Sequence, residues 1–272
     1  MYKKIDEAST YIKKLLPSIP QIVIILGSCF GELVDELSDR LDIKYSDIPN
    51  FPKSSLLTNK RILHYGTLSD KEILILNGRY HYYEGLSSEE IAFPIRVFKN
   101  LGINTIIITT AAGGIKDYLE IGDLMLVKDH ISLLAPPILS GPNYDRFGPR
   151  FLDMSYTYSK ELQVITKKVA KTNNINLKEG IFAYYPGPNY ETPADIKALR
   201  ILGADAVSMT LVPEATIAKH CFLDILAICL ITNINASILY KQHLDHDEML
   251  EVSHEANKTF ITLIKGVLSG LK

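Results

Sequence analysis

ADAVSMTLVPEATIAKHCFLDILAICLITNIN, residues 204–235, is the stretch whose reading decides the fold. Its first residues form a short apolar run that breaks at Thr210. Pro213 stands where the first turn of a helix tolerates a missing N–H, and PEATIAKHC has helical spacing. Asp224 then opens ILAICLIT, apolar on both faces as a central strand covered by helices reads, and the run stops at Asn233. In open α/β sheets ligands sit beyond the carboxyl ends of the strands. Met209, Thr210 and Asn233 are therefore expected to face one crevice, as an apolar shelf, a hydroxyl and an amide that both donates and accepts. Taken alone, the plainer reading is favoured, with Thr210 as a helix cap and Asn233 as a turn residue.

Around this unit the chain has 272 residues, 47% of them hydrophobic and 22% charged, which suits one α/β domain spanning residues 1–272. A net charge of −2 argues against a general nucleic-acid or membrane-surface role, so any anion site must be local. MYKKIDEASTYIKKLL, at the N-terminus, mixes charge through an amphipathic pattern and does not read as a signal peptide. No run approaches the roughly 20 apolar residues of a membrane span. Cys29, Cys221 and Cys229 are irregularly spaced, which suits a reduced compartment, and a cytoplasmic protein is expected. No grouping of side chains calls for a metal.

Ile5, Ala8, Ile12, Leu15 and Leu16 follow a helical stripe ended by Pro17 and Pro20, and IVIIL (22–26) reads as a buried strand. It runs into Gly27-Ser28-Cys29-Phe30-Gly31 and a helical ELVDEL, so backbone N–H groups and the Ser28 hydroxyl can meet an anion. The spacing G-x-x-x-G is not that of a dinucleotide fingerprint. Residues 43–60 look irregular. RILHYGTL and EILILN read as two strands joined by Ser69-Asp70-Lys71. The second ends in Gly78-Arg79-Tyr80-His81-Tyr82-Tyr83-Glu84-Gly85, a loop holding a guanidinium, an imidazole, a carboxylate and three phenols. Arg79 with His81 is a natural pair for an oxyanion such as phosphate, and this reading outweighs a merely solvated loop.

Ser87 to Glu90 is a capping box that opens a helix closed by Gly102. INTIIITT (103–110) is a β-branched strand ending in Ala111-Ala112-Gly113-Gly114, where small residues allow either a tight turn or the close approach of a flat ligand. DLMLVKDH (123–130) is a further strand, 135–150 a long loop, and a helix covers roughly 159–172. IFAYY (181–185) leads to Gly187-Pro188-Asn189-Tyr190-Glu191. Thr192 and Asp195 box the start of a helix with Pro193 in its first turn, and Gly203 ends it. An aromatic beside a carboxylate suits a heterocycle needing a stacking face and an acceptor for a ring N–H, while Glu191 reads equally as a helix-start charge. From 247 onward the chain is one amphipathic helix.

GSCFG, NGRYHYYEG, TTAAGG, GPNYET, ADAVSMTLVPE and LITN stand in the order and spacing of the trimeric, low-molecular-mass purine nucleoside phosphorylases, which the chain resembles from about residue 20 to 265. The resemblance implies an α/β fold with a central mixed β-sheet flanked by helices, and a homotrimer in which a neighbouring subunit closes each site. It implies phosphate held by Ser28, Arg79, His81, Ala111 and Thr210. Asn59 stands where many members carry a phosphate-contacting histidine. The purine would be bound by Glu191 and Asn233, flanked by Tyr190 and approached by Ala111, Ala112, Gly113 and Met209. Tyr83, Met209 and His246 would contact the ribose. Asn233, His81, Glu84 and Glu191 are the expected catalytic group, with inorganic phosphate as co-substrate and no cofactor.

Two further positions depart from the family pattern: Cys29 and Ser208 stand where glycine is usual. An amide at 233 accepts from a purine N7–H and donates to a 6-oxo group, so inosine and guanosine, as ribo- or deoxyribonucleosides, are the expected substrates. A methylthioadenosine phosphorylase, a purine-binding relative with little turnover and a hydrolase using water are the competing readings.

Overall fold

The computed structural model describes residues 1–53, 61–133, 136–234 and 246–271, with side chains in the last segment from residue 255. Among them are nine strands in one mixed sheet, with helices on its faces. Strands β1 (Ile22–Leu26), β5 (Thr105–Gly114) and β9 (Asp224–Ile234) lie side by side and parallel, and their near-continuous burial explains their unbroken apolar sequence. β3 (Ile62–Leu68) and β4 (Lys71–Asn77) continue the sheet beyond β1, and β2 (Ser38–Lys44) forms its outer edge. On the other side β5 pairs with β8 (Ala206–Ser208), β8 with β7 (Lys178–Tyr184), β7 with β6 (Leu124–Ile131), and β6 with β9, which returns to β5. Five strands thus close a ring from which the other four extend as a wing.

α1 (Tyr2–Leu15) buries Ile5, Ala8 and Ile12 against α2 (Ser88–Leu101) and the wing. Leu15, expected on that stripe, is 42% exposed because it falls off the buried face in the last turn. α2 opens with the Ser87–Glu90 capping box and closes on Gly102 in the left-handed region. α3 (Lys160–Thr172) and α6 (His246–Gly270) cover the opposite face, while α5 (Val212–His220) joins β8 to β9. α4 (Pro193–Ile201) starts with the Thr192–Asp195 box.

Several expectations are corrected. The turn between β3 and β4 is Ser69-Asp70 alone, both with positive φ as a two-residue hairpin requires, and Lys71 is already in the strand. Of the stretch 43–60 expected to be irregular, residues 43 and 44 end β2 and Tyr45–Asp47 form a short helical turn, while 54–60 lie outside the described residues. ELVDEL belongs to a tighter 3-10 segment, Ser28–Glu36, kinked at Phe30. Ala111–Gly114 is not a turn: β5 runs on through it, paired with β9 across an irregularity at Ala112/Gly113 and with β8 at Gly113 and Gly114. Side chains are small there because the ring is crowded; a Cβ on Gly114 would stand 2.9 Å from Ile234.

Candidate active site

β1 pairs with β5 only as far as Ile108, and β8 takes up the same edge of β5 only from Gly113. Between them, residues 109–112 of β5 lack a neighbouring strand on that edge. The candidate site is built around this gap in the sheet.

The turn after β1 closes one side. The Gly27 N–H donates to Thr109 Oγ1 at 2.9 Å, and that hydroxyl donates to the Ile25 carbonyl at 3.0 Å. Gly27 has to be glycine, since a Cβ there would lie 2.8 Å from Thr110 Cα. Ser28 is exposed, whereas the Cys29 side chain is 3% exposed and packs with Phe30 and Leu33 in the core beneath. The Cys29 side chain is therefore accommodated in the core beneath the turn.

Arg79, one residue beyond the glycine that follows β4, is 6% exposed. Its Nη2 donates to the Thr109 carbonyl at 2.9 Å, and its Nε lies 3.3 Å from Glu214 Oε1 in the first turn of α5, an ion pair whose geometry falls short of a hydrogen bond. Nη1 has no hydrogen-bond partner among the described residues. A buried guanidinium with a free donor edge has chemistry to offer an oxyanion.

Glu84 caps the next turn, accepting from the His81 backbone N–H at 2.9 Å and lying 2.9 Å from His81 Nδ1. The carboxylate thus fixes the imidazole and leaves Nε2 as the outward nitrogen. Burial, together with the nearby Arg79 charge, holds the His81 pKa below its ordinary value. The Tyr83 ring stacks on His81 at 4.5 Å, and burial pushes its phenol up to about 12.

Thr210 lies just beyond the carboxyl end of β8, where the sequence places it. β8 runs antiparallel to β5, so its carboxyl end turns back along the gap and Thr210 Oγ1 meets Thr110 Oγ1 at 2.5 Å. Ala111 is half-buried at the gap, while Ala112 and Gly113 are buried, with Ala112 in the core, so only their backbone can meet a ligand. Asn233 sits opposite Gly113 at the end of β9, its Oδ1 accepting from the Thr232 hydroxyl at 3.2 Å. Met209 packs against Gly187, where φ is +67° and a Cβ would lie 2.4 Å from the sulfur.

Tyr190 is 51% exposed next to Glu191. Asp195 accepts from both the N–H and the hydroxyl of Thr192, so the start of α4 is already capped without Glu191. Burial raises the Glu191 pKa, with the Asp195 charge adding to it. Ser208 closes β8 beside Tyr184. Asn59 and the side chain of His246 lie outside the described residues, and no group of side chains suited to a metal occurs among those described. Thr109, Thr110 and Glu214 are the residues that sequence reading missed. The first two look like ordinary β-branched strand residues and the third like a helix-start charge.

This fold and site define a member of the phosphorylase superfamily, whose family model matches residues 21–269. Purine nucleoside phosphorylase 1 of Geobacillus stearothermophilus is 42% identical over 267 residues, covering 98% of this chain and 97% of its own length. The enzyme of the same name from Bacillus subtilis is 42% identical over 269 residues, with 99% of each chain covered. Isoform 2 of purine nucleoside phosphorylase from Schistosoma mansoni, solved with cytosine and ribose-1-phosphate, matches with a TM-score of 0.96 at 38% identity, covering 100% of this chain and 97% of its own. The chain belongs to the purine nucleoside phosphorylase family, enzymes of the pentosyltransferase class.

Proposed function

We propose that this enzyme cleaves the N-glycosidic bond of 6-oxopurine ribo- and deoxyribonucleosides with inorganic phosphate, releasing the base and a pentose 1-phosphate. The observation that carries the reading is the Arg79 guanidinium, buried between Glu214 and the Thr109 carbonyl with Nη1 left for an oxyanion. His81, Ser28, Thr210 and the Ala111 backbone complete the phosphate site in this reading, with Asn59 as a neutral donor. No cofactor or metal takes part. The ribose-1-phosphate bound by the similar Schistosoma enzyme fits the same chemistry.

Glycoside cleavage proceeds through an oxocarbenium-like transition state, so phosphate held beneath the sugar stabilises positive charge as the purine departs with the bonding electrons. The phosphate oxygen then bonds to the anomeric carbon. Glu84 orients His81 toward the anion, Asn233 hydrogen-bonds the leaving purine at N7 and the 6-oxo oxygen, and Glu191 accepts from a ring N–H on the opposite edge. Tyr190 flanks the base, while Tyr83, Met209 and His246 contact the ribose. The reading extends to a single domain acting as a cytoplasmic homotrimer.

Asn233→Asp tests the 6-oxo assignment. A carboxylate repels a 6-oxo oxygen and welcomes a 6-amino group, so the ratio of kcat/KM for inosine over adenosine should fall at least about tenfold. An unchanged ratio in an active variant would contradict it.

A further inference from the structure

The 3-10 segment that begins at Ser28 is held from two sides. Thr109 fixes Gly27 from the sheet, as described above. From the other face, Asn257 in α6, 2% exposed, donates its Nδ2 to the Cys29 carbonyl at 2.7 Å. Phe260, one helical turn further on, packs its ring 4.2 Å from that of Phe30. The Phe30 N–H already donates to the Gly27 carbonyl at 3.1 Å. The peptide joining Cys29 to Phe30 is therefore tied at both polar ends. The N–H groups of Ser28 and Cys29 lie ahead of that first i→i+3 bond, where the helical segment itself supplies them no acceptor.

The burial of Asn257 has a cost that packing alone does not explain. Its Oδ1 has no hydrogen-bond partner among the described residues, and an aliphatic side chain would fill the same space without a stranded acceptor. What an aliphatic residue cannot do is hold the Cys29 carbonyl. Losing that bond leaves the peptide held at its Phe30 N–H alone, so it tilts more readily and carries the adjoining Ser28 and Cys29 amides with it.

We propose that Asn257 is a positioning residue for the phosphate turn, setting the orientation of the Ser28 and Cys29 amides from α6 without touching substrate. This rests on the phosphorolytic reading above. It acts on the anion and not on the purine, so it separates the two substrates kinetically.

The test uses Asn257→Leu, which keeps the volume without a donor, and Asn257→Ser, with Thr166→Val as control. Thr166 in α3 donates to the Leu162 carbonyl at 2.7 Å, a comparable buried bond remote from the turn. Inosine cleavage is measured against inorganic phosphate and against inosine, with phosphate binding followed by calorimetry. The parent is assayed first for phosphate dependence. Its absence there sinks the phosphorolytic reading and this proposal with it. With dependence established, the Asn257 variants should raise the KM and Kd for phosphate about tenfold, on the scale of one buried hydrogen bond, with the KM for inosine within about twofold. Thr166→Val should change neither. Unchanged phosphate constants, a parallel change in both substrates, or failure of both Asn257 variants to fold would overturn the proposal.

Discussion

At the scale of single residues, Glu191 and Glu214 carry the sharpest expectations. The start of α4 is capped by Thr192 and Asp195, so the helix does not require the half-buried Glu191 as a cap. In Glu191→Ala the purine N–H loses a charge-assisted hydrogen bond worth roughly 1.5–3 kcal/mol, and kcat/KM for inosine should fall by at least about tenfold. A value within twofold of the parent would reduce Glu191 to a helix-start charge. As a carboxylate it accepts a charge-assisted hydrogen bond from the ring N–H; protonation removes the charge and turns one of its oxygens into a donor. Because burial raises its pKa above the ordinary 4.5, activity should be lost on the acid side at a higher pH than an ordinary glutamate would give, and that limb should disappear in Glu191→Gln. Glu214 faces Arg79 with both side chains nearly buried, so Glu214→Ala leaves an unpaired guanidinium and should cost about 3–5 kcal/mol of stability. Added phosphate should then raise the Tm of the variant more than that of the parent. An equal rise would mean that Arg79 does not meet the anion.

Among the elements, β5 and β8 separate what sequence reveals from what it hides. The Ser87 and Thr192 capping boxes, the apolar run of β9 and the helix after Pro213 are local signals, and each marks its element correctly. The gap beside residues 109–112 is not local: it exists because β1 ends early and β8 arrives late on one edge of β5, and no window of sequence contains all three strands. Ala111–Gly114 looks like a turn for that reason, since the pairing that makes it a strand comes from residues more than ninety positions away. Arg79, His81 and Glu84 are legible together because one short loop carries them, whereas the Glu214 partner of Arg79 is supplied by tertiary structure. The loop before α4 depends on Gly187. Gly187→Ala combines a positive-φ penalty of about 1–2 kcal/mol with displacement of Met209. It should lower the Tm and raise the KM for inosine more than that for phosphate; equal effects on both would detach Met209 from the nucleoside side.

For the whole molecule, the closed ring and its wing suit a chain with net charge −2 to the proposed anion site. In that reading the positive charge is the buried Arg79 in the loop after β4, with backbone amides beside it, and not a basic surface. The same fold leaves Phe151 at 91%, Ile201 at 77% and Leu133 at 76% exposure, apolar surface that the proposed trimer would cover in part. Sedimentation at assay concentration should give three copies, and a fully active monomer would contradict closure of the site by a neighbour. In the proposed reaction phosphate, and not water, takes the sugar. Purine release from inosine should be negligible in phosphate-free buffer and restored by phosphate or arsenate, with one pentose 1-phosphate formed per base when phosphate is supplied; equal release without phosphate would contradict the account.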